Sequence, residues 1–317
     1  MLDGVSLDQL RTFIAAVDEG SFSAAARKLN RVQSAVSGWI GSLEDQIGVV
    51  LFDRSGRFPK LTPEGVLLLA DARNIVSGVD TLKARAKLMA SGLESELSVV
   101  VDVFFPTAVV SAAAKAFAIQ FPLTPLRLFV EGLGAAYQPV LDGRCTLGIL
   151  ATLPLPLPLT FPSLVSEQLG EVPLVFVAAA SHPLASPGSR ITRREVAKYV
   201  QLVLTDRSDL MAGRDYGVVS PSTWRLADLS TKHAFIKDCV GWGGMPLHMV
   251  EEDIAAGTLV VLDLHDIPQT GFALTMSAYH RASEPPGPAG RWFIDHLRAS
   301  WEQQTNSPRK RGRGPSS

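Results

Sequence analysis

The pattern of apolar residues at the start of the chain is typical of a helix. The apolar residues that recur at spacings of three and four are Leu7, Leu10, Phe13, Ile14 and Val17. Residues at these spacings share one face of a helix. Gly20 follows at a position where glycine commonly ends a helix. This part of the chain is therefore predicted to form one amphipathic helix.

Two further helices are predicted before residue 50. Ser21 or Ser23 can cap a second helix over residues 24–29, and its small alanines permit close packing. After a break at residues 30–32, a third helix is predicted over residues 33–48. Its core-facing positions are Val36, Ile40 and Leu43.

Two short apolar segments, residues 49–52 and 58–61, enclose a polar bend. Ser55 and Gly56 lie in the bend, and such residues favour a turn between two strands. Three short helices followed by a hairpin predict a winged helix-turn-helix.

A long helix is predicted to begin at Pro63. Thr62 can cap it, proline suits the first helical position, and Glu64 complements the positive end of the helix dipole. Its apolar seam has alternating steps of four and three and comprises Leu68, Ala72, Ile75, Val79, Leu82, Ala86 and Met89. Such a repeat favours pairing with the same helix of a second copy. The alternative is a single long helix that packs against its own domain.

Beyond Gly92, strand-like and helix-like segments alternate. Strands are predicted over residues 97–103, 126–130, 145–150 and 174–179, and helices over residues 107–121, 135–141 and 291–301. Short strands joined by helices predict parallel sheets with helices on both faces.

The predicted organisation is a DNA-binding domain (5–62), a linker helix (63–91), a larger α/β domain (92–303) and a disordered basic tail (304–317).

Composition is typical of a globular protein in a reducing compartment. The 317 residues suggest two domains at ~150 residues each. Hydrophobic residues make up 46%, charged residues make up 19%, and the net charge is -1. The N-terminus lacks the pattern of a signal peptide, and the longest apolar run is interrupted by Pro154, Pro156 and Pro158. A cytoplasmic protein that does not enter the membrane is expected.

The sequence contains no recognisable catalytic or metal-binding pattern. The six histidines form no i,i+4 pair, and no Gly-x-Ser-x-Gly segment is present. The glycines at residues 241–244 lack the spacing of a nucleotide-binding loop. Cys145 and Cys239 lie in separate apolar segments, which favours buried free thiols over a disulfide between them. We predict no enzymatic activity, no metal and no cofactor.

Many ordered matches in the N-terminal part carry a family resemblance. They are Phe13, Gly20-Ser21-Phe22, Ala24-Ala25, Leu29, Gln33-Ser34-Ala35-Val36-Ser37, Leu43-Glu44, Gly48, Leu51-Phe52-Asp53-Arg54 and Leu61-Thr62-Pro63-Glu64-Gly65. Looser matches follow at Phe121-Pro122, Glu131-Gly132, Leu141-Asp142-Gly143-Arg144, His182-Pro183-Leu184, residues 240–246 and residues 256–260. The chain resembles bacterial LysR-type transcriptional regulators over about residues 5–303.

The resemblance implies a fold and a set of partners. The fold is α/β: a winged helix-turn-helix, a long linker helix and a two-lobed effector domain similar to periplasmic binding proteins. The first lobe would comprise about residues 92–163 and 268–303, and the second about residues 164–267. Operator DNA, a small-molecule effector and further copies of the chain, as a dimer and usually a homotetramer, are the implied partners. RNA polymerase is a further candidate partner.

The third predicted helix carries the residues expected to read DNA. Its first turns place Gln33, Ser34 and Ser37 at base edges, where glutamine can pair with adenine. Arg31 before the helix, and Arg54 and Arg57 in the wing, are expected to meet phosphates or the minor groove. Residues 21–60 carry six cations and three acids, a local charge of +3.

The same helix departs from the family pattern at several positions. Gly38 and Gly41 replace commonly basic residues, and each glycine costs a helix interior about 1 kcal/mol. Val32 replaces a polar cap. Trp39 is predicted to pack against a neighbouring helix.

The effector is expected in the crevice between the two lobes, near strand ends and helix N-termini. The predicted effector-binding residues are Asp102, Phe104, Phe105, Thr107, Glu131, Gly132, Thr205, Asp206, Trp242 and Gly243. Two phenylalanines there favour an aromatic or apolar effector, and Asp102 limits it to one negative charge. The alternative for both phenylalanines is ordinary core packing.

Two other function classes compete with a regulator. A solute-binding component explains residues 93–303 but leaves the first 90 residues unexplained and lacks an export signal. An enzyme requires a nucleophile, base or cofactor arrangement that the sequence does not show.

Overall fold

A computed structural model describes residues 4–56, 58–90, 92–152, 161–186, 190–211, 217–265, 267–268 and 270–306. The chain divides into two compact units, Met1–Ser91 and Gly92–Ser317. Arg57, the prolines at 154, 156 and 158, and the end of the basic tail from residue 307 lie outside the described residues. Among the described residues, no helix has both the length and the apolar character needed to cross a membrane.

The first unit contains the predicted three helices, hairpin and long helix. Its elements are α1 (Leu7–Asp18), α2 (Phe22–Lys28), α3 (Gln33–Ile47), β1 (Phe52–Asp53), β2 (Lys60–Leu61) and α4 (Pro63–Ala90). The strands β1 and β2 pair antiparallel. The core includes Phe13, Val36, Ile40, Leu43 and Phe52.

Local capping determines where these helices begin and end. The Ser21 hydroxyl accepts a hydrogen bond from the Ala24 amide at 3.1 Å, so α2 begins at Phe22, two residues before the predicted start. Gly48 ends α3 in the left-handed conformation, with φ 73°. The Thr62 hydroxyl accepts from the Gly65 amide at 2.9 Å at the start of α4.

The second unit alternates strands and helices. Its strands are β3 (Leu97–Asp102), β4 (Leu126–Glu131), β5 (Leu147–Thr152), β6 (Leu164–Ala179), β7 (Gln201–Leu204), β8 (Thr223–Leu226), β9 (Gly243–Pro246), β10 (Leu259–Val261) and β11 (Phe272–Arg281). Its α-helices are α5 (Thr107–Gln120), α6 (Gly134–Leu141), α7 (Arg193–Val196), α8 (Leu229–Lys237), α9 (Leu247–Ala255) and α10 (Pro288–Asn306).

The expectation of parallel sheets holds for only three of the seven strand pairs described in this unit. One seven-stranded sheet has the order β10-β6-β11-β5-β3-β4, with β9 also paired to β6, and β7 and β8 form a second sheet. The pairs β3–β4, β3–β5 and β7–β8 are parallel, whereas β6 and β11 pair antiparallel with their neighbours. The strand β6 begins ten residues before the predicted strand, because its first half pairs with β11.

The two long strands β6 and β11 connect two lobes. The first lobe contains β3, β4 and β5 with α5, α6 and α10, and the second contains β7 to β10 with α7, α8 and α9. Apolar side chains of both regions join one large core, which includes Val99, Phe117, Met245 and Phe293. The ends of β3, β4 and β7 meet near the start of α6, where the functional residues of this unit are expected.

Candidate functional site

The start of α3 is a polar, exposed helix N-terminus. Gln33 and Ser34 are exposed, Ser37 is half-buried, and Val32 at the cap position provides no side-chain hydrogen bond. Asn30 turns the chain before α3 with φ 53°, a left-handed conformation that asparagine tolerates. The first amides of α3 are therefore not satisfied by a capping side chain, as in an anion-binding helix end.

Gln33 is held by a neighbour in the preceding helix. Its Oε1 accepts a hydrogen bond from the Ser23 hydroxyl at 2.8 Å. The sequence proposed Ser23 as an alternative cap for α2, and the structure instead places it beside the residue expected to read bases. This contact restricts the orientation of the Gln33 amide before any partner binds.

Trp39 is half-buried on α3, and its ring contacts the side chain of Arg31. The Arg31 guanidinium lies 5.5 Å from the centroid of the Trp39 ring, a distance at which cation–π attraction is significant. Arg31 is thus oriented along α3. A Cβ at Gly38 or Gly41 would meet no atom within 4 Å, so both positions border open space.

Glu44 connects α3 to the hairpin, a role that was not predicted from the sequence. Its Oε1 accepts from the amides of Leu51 and Phe52 at 2.8 and 3.1 Å, and its Oε2 pairs with Arg54. The Arg54 guanidinium also lies 5.6 Å from the centroid of the Phe22 ring. Arg54 therefore connects the wing to α2 and α3 before any DNA is present. The matched Leu43-Glu44 pair was the only sequence signal for this role.

Several cations near α3 and the hairpin form no ion pair within the described part of the chain. Lys28 pairs with Glu19 at 2.7 Å, and this hydrogen bond raises the pKa of Lys28. Within the described residues, Arg27, Arg31 and Lys60 form no ion pair. The surface around α3 therefore has uncompensated positive charge.

The predicted seam of α4 divides into two parts. Ala72 is 4% exposed and lies in the core of its own unit, with Leu68 packed against that core. The ion pairs of α4 with α1, Arg11–Asp80 and Arg73–Asp18, hold this part in place. The expectation that Leu68 and Ala72 face a partner is therefore wrong for Ala72, because α1 already covers it.

The remaining seam positions are open. Ile75, Leu82 and Met89 are 51%, 66% and 54% exposed, and they lie seven residues apart. Val79 is half-buried and Ala86 is exposed. An exposed apolar stripe at heptad spacing is what a helix pair would cover.

In the second unit, Asp102 is buried at the end of β3. It is 1% exposed, and its Oδ1 accepts from the Phe104 amide at 2.9 Å. Its Oδ2 has no hydrogen-bond partner among the described residues. Burial raises the pKa of Asp102 to about 7, although nearby amides of Phe104, Ala151 and Leu133 act in the opposite direction.

The two phenylalanines after β3 belong to the core, which corrects their assignment to the effector site. Phe104 is 6% exposed and Phe105 is 2% exposed. The Phe105 ring lies 5.2 Å from that of Trp301. Their burial against α10 and the sheet explains both residues as ordinary packing, and the inference of an aromatic effector loses its basis.

The two lobes contact each other at the start of α6. The Asp206 Oδ1 of the second lobe accepts from the Ala135 amide of the first lobe at 2.9 Å and from the Ser208 amide at 3.0 Å. A Cβ at Gly134 would collide with the Asp206 carboxylate, so only glycine permits this approach. Asp206 therefore lies at the contact between the two lobes, and it acts as a cap on α6.

Glu131 and Gly132 lie beside this contact. Arg207 of the second lobe approaches Glu131 with 3.9 Å between Nη1 and Oε2. A Cβ at Gly132 would lie 3.5 Å from Cδ2 of Leu204 in the second lobe. The structure therefore brings together Asp102, Glu131, Gly132 and Asp206.

The other predicted effector residues do not all join them. Trp242 is fully buried in the second lobe, and a Cβ at Gly243 would meet the Leu202 carbonyl oxygen at 2.5 Å. These two residues support the packing of β9 on β7 and are not crevice-lining, which corrects their assignment. Thr107 is exposed at the start of α5, and Thr205 is half-buried between β7 and Asp206.

A buried lysine in the second lobe had no sequence signal. Lys232 is 5% exposed, and its Nζ donates to the Gly244 carbonyl at 2.7 Å. Burial lowers the pKa of Lys232 to about 7. In a helical segment with polar neighbours, a lysine is ordinarily expected at the surface.

The two cysteines lie in different lobes. Cys145 is buried, and burial raises the pKa of its thiol to about 11, so its reactive thiolate is scarce at neutral pH. Cys239 is half-buried after α8.

Comparisons with known proteins agree across the chain. Residues 7–66 match the bacterial regulatory helix-turn-helix protein, lysR family, and residues 90–302 match the LysR substrate binding domain. The chain is 30% identical to the probable HTH-type transcriptional regulator YhaJ of Escherichia coli, covering 81% of this chain and 86% of that protein. It is 28% identical to the uncharacterized HTH-type transcriptional regulator YeeY of Escherichia coli, covering 93% of both.

A solved structure shows the same fold. OxyR of Corynebacterium glutamicum superposes with a TM-score of 0.58 at 20% identity, covering 94% of this chain and 93% of that one.

Proposed function

The chain belongs to the LysR family of transcriptional regulators, and we propose that α3 and the hairpin read operator DNA under the control of a small molecule in the crevice of the second unit. It is a DNA-binding regulator and not an enzyme. We further propose that residues 5–62, 63–91 and 92–303 divide the labour between DNA binding, pairing and effector binding. Because its target is DNA, a cytoplasmic location is part of this proposal.

The observation that carries the DNA-binding proposal is the open N-terminus of α3. Gln33 and Ser34 are exposed there, and Gln33 is oriented by Ser23. A glutamine at a helix start can bond an adenine edge with both amide atoms, and the free amides suit a phosphate. Arg31, Ser37 and Arg54 complete the proposed contact surface, with Arg57 proposed from its place in the wing sequence alone.

The pair Glu44–Arg54 supports a wing with a preset orientation. The Arg54 side chain is 45% exposed, so it can contact a phosphate while its pairing with Glu44 persists. A cation that is already ordered loses less side-chain entropy when it binds DNA.

The experiment compares Gln33 with a wing cation. An operator is first selected from genomic fragments by gel shift, and fluorescence anisotropy then measures binding to matched and mismatched versions. Gln33→Ala should lower discrimination at one base pair by roughly 1–3 kcal/mol. Arg57→Ala should weaken binding to all sequences alike and flatten its salt dependence. If the two variants behave alike on both operators, this division of roles is wrong.

Self-association through α4 is the second part of the proposal. The exposed stripe Ile75, Leu82 and Met89 supports pairing with the same stripe of a second copy. Two copies would present two copies of α3 to an operator with twofold symmetry. A homotetramer and contact with RNA polymerase are proposed from the resemblance alone.

The effector part of the proposal rests on the junction of the lobes. Asp102, Glu131, Gly132 and Asp206 converge there, and Thr107 and Thr205 lie at the neighbouring strand and helix ends. A ligand bound between lobes shifts the population of open and closed forms in proportion to its differential affinity. We retain the limit of one negative charge on the effector, without the aromatic preference that Phe104 and Phe105 had suggested.

A further inference from the structure

The Asp102 carboxylate is incompletely satisfied in a buried place. Oδ1 accepts the Phe104 amide, whereas Oδ2 lacks a partner among the described residues. Leaving a buried polar atom without a hydrogen bond is costly, and such atoms call for a specific explanation. Within the described chain, Asp102 also has no ion-pair partner.

The hydroxyl groups near Asp102 are already occupied. The Tyr137 hydroxyl donates to the Ala151 carbonyl at 3.1 Å, and the Thr152 and Tyr279 hydroxyls lie 2.8 Å apart. The rings of Tyr137 and Tyr279 pack edge to face at 5.3 Å. These side chains pair with one another and with the main chain, and none supplies a donor to Oδ2.

Asp102 lies where the second lobe reaches the first. It is the register partner of Glu131 on β4, and its carboxylate is close to the amide of Leu133, the residue that precedes α6. Two residues further along the chain, the Ala135 amide binds Asp206 of the second lobe. A small opening of this lobe contact would bring a ligand to the start of α6, next to Asp102.

The charges at this junction favour one sign of ligand. Asp102, Glu131 and Asp206 are acids, and Arg207 is the cation that faces them, 3.9 Å from Glu131. Arg207 also donates to the Ala227 carbonyl at 3.2 Å. A ligand carboxylate would add a fourth negative charge next to the buried Asp102, whereas a cation would be attracted.

We infer that the effector carries a cationic N–H donor, an ammonium, amidinium or guanidinium group, and that Oδ2 of Asp102 accepts its hydrogen bond. This inference rests on the proposed effector crevice and specifies the ligand class. A charge-assisted hydrogen bond is stronger than a neutral one, and burial strengthens it further. Asp102 is thus a specificity-determining residue.

The test uses the full-length protein and matched probes. Benzamidine is compared with benzoate, and butylamine with butyrate, by thermal shift at pH 8 over a range of millimolar concentrations. A ligand that binds only the native state raises Tm with concentration. The cationic member of each pair should raise Tm, and its carboxylate should not.

Two variants assign the effect to Asp102. Asp102→Asn keeps the shape of the side chain and should weaken the apparent affinity for the cationic probe at least tenfold. Asp142→Asn makes the same chemical change at an exposed carboxylate after α6 and should leave the affinity unchanged. Circular dichroism checks that both variants are folded, and the wild-type probe comparison stands even if a variant fails to fold.

Three outcomes overturn the inference: stabilisation by the carboxylate probes, an unchanged response of Asp102→Asn, or no cation-specific shift in either pair. Operator binding, measured separately by anisotropy, tests the proposed function. If carboxylates or neutral compounds alter operator binding while cations do not, the regulatory function stands and the inference fails. If no operator is bound, the proposed function fails whatever the thermal shifts show.

Discussion

The two units of the chain differ in whether they bury charged side chains. In the first unit, charged pairs lie near the surface and connect helices, as in Arg11–Asp80, Arg73–Asp18 and Arg54–Glu44. The second unit also has surface ion pairs, such as Arg291–Glu167, but it buries Asp102 and Lys232, and neither forms an ion pair among the described residues. The first arrangement suits a surface that meets a polyanion. Burying these charges lowers the stability of the second unit, and one of them, Asp102, lies at the proposed effector crevice, where such a cost is common.

The largest expected effect comes from placing charge on the apolar stripe of the first unit. Replacing Ile75 and Leu82 together by Asp should weaken self-association by roughly 5 kcal/mol, because two carboxylates would be desolvated between paired helices. Sedimentation velocity measures the loss. The control replaces Asn74 and Thr81 by Asp, which keeps the seven-residue spacing but lies off the stripe. An unchanged dimer in the first variant would contradict the pairing of α4.

Lys232 offers the next largest effect. Burial lowers its pKa to about 7 from 10.5, so the unfolded chain binds more protons between these values and stability rises with pH across that window. At pH 6 the full penalty is present, and Lys232→Met should stabilise the second unit by about 4 kcal/mol at most, at ~1.4 kcal/mol per pKa unit less the lost hydrogen bond to Gly244.

Urea denaturation at pH 6 and pH 10 checks this prediction. The advantage of Lys232→Met should shrink as the pH rises towards 10.5. Lys237→Met, which removes a lysine with a 44% exposed side chain from the same helix, is the matched control because it removes no buried charge. An advantage that is independent of pH would show that the charge of Lys232 is not the cause.

Asp102 should make stability change with pH in the opposite direction to Lys232. Its pKa is raised to about 7 from 3.8, so the folded chain binds more protons between these values and stability falls as the pH rises through them. Asp102→Asn cannot ionise and should gain roughly 3 kcal/mol over the wild type by pH 8, at ~1.4 kcal/mol per pKa unit with some loss for the new amide.

Urea denaturation at pH 4, 6 and 8 measures the difference in the free energy of unfolding between Asp102→Asn and the wild type. A gap that grows with pH supports a buried, penalised carboxylate. A constant gap, or a variant that loses stability most at pH 8, would mean that Asp102 is paired in solution. Taken together, Asp102 and Lys232 are expected to lower the free energy of unfolding most near pH 7.

The smallest expected effect comes from two glycines of the first unit. Unlike the effects of the buried charges in the second unit, it should not depend on pH. Gly38→Ala and Gly41→Ala should each stabilise the first unit by about 0.5–1 kcal/mol, since both positions border open space inside a helix. Thermal unfolding measures the gain. Gly65→Ala is the contrasting variant, because a Cβ there would collide with the Leu51 carbonyl, and it should be destabilised. A loss of stability in the first two variants would mean that these positions are covered.

Much of the first unit was predictable from neighbouring residues. The third helix was predicted over residues 33–48 and spans Gln33–Ile47, and the long helix begins at Pro63 as expected. Three-and-four periodicity and capping residues act within a few positions of one another, so they can be recognised without the fold. The partial burial of the α4 seam was not predictable, because α1 decides it.

The crevice was predicted less well. Asp102 and Asp206 lie near the contact between the lobes, where we propose that the effector binds, whereas Phe104, Phe105 and Trp242 are core residues. An apolar residue after a strand can line a site or fill a core with the same local pattern. No sequence pattern indicated the burial of Lys232, because it comes from packing of α8 against β6 and β7 and not from neighbours in the chain.

By itself, the sequence determined the family, the winged helix-turn-helix and the residues at the start of α3, because these depend on local order and short spacings. Only the tertiary structure decided that β6 and β11 run antiparallel, that Glu44 pairs with Arg54, and that Asp102 is buried with no hydrogen-bond partner for Oδ2 among the described residues. Those features depend on contacts between distant segments, such as the bond between Ala135 and Asp206, 71 residues apart. Burial, and with it the pKa of Asp102 and Lys232, is a property of the packed chain and not of any segment within it.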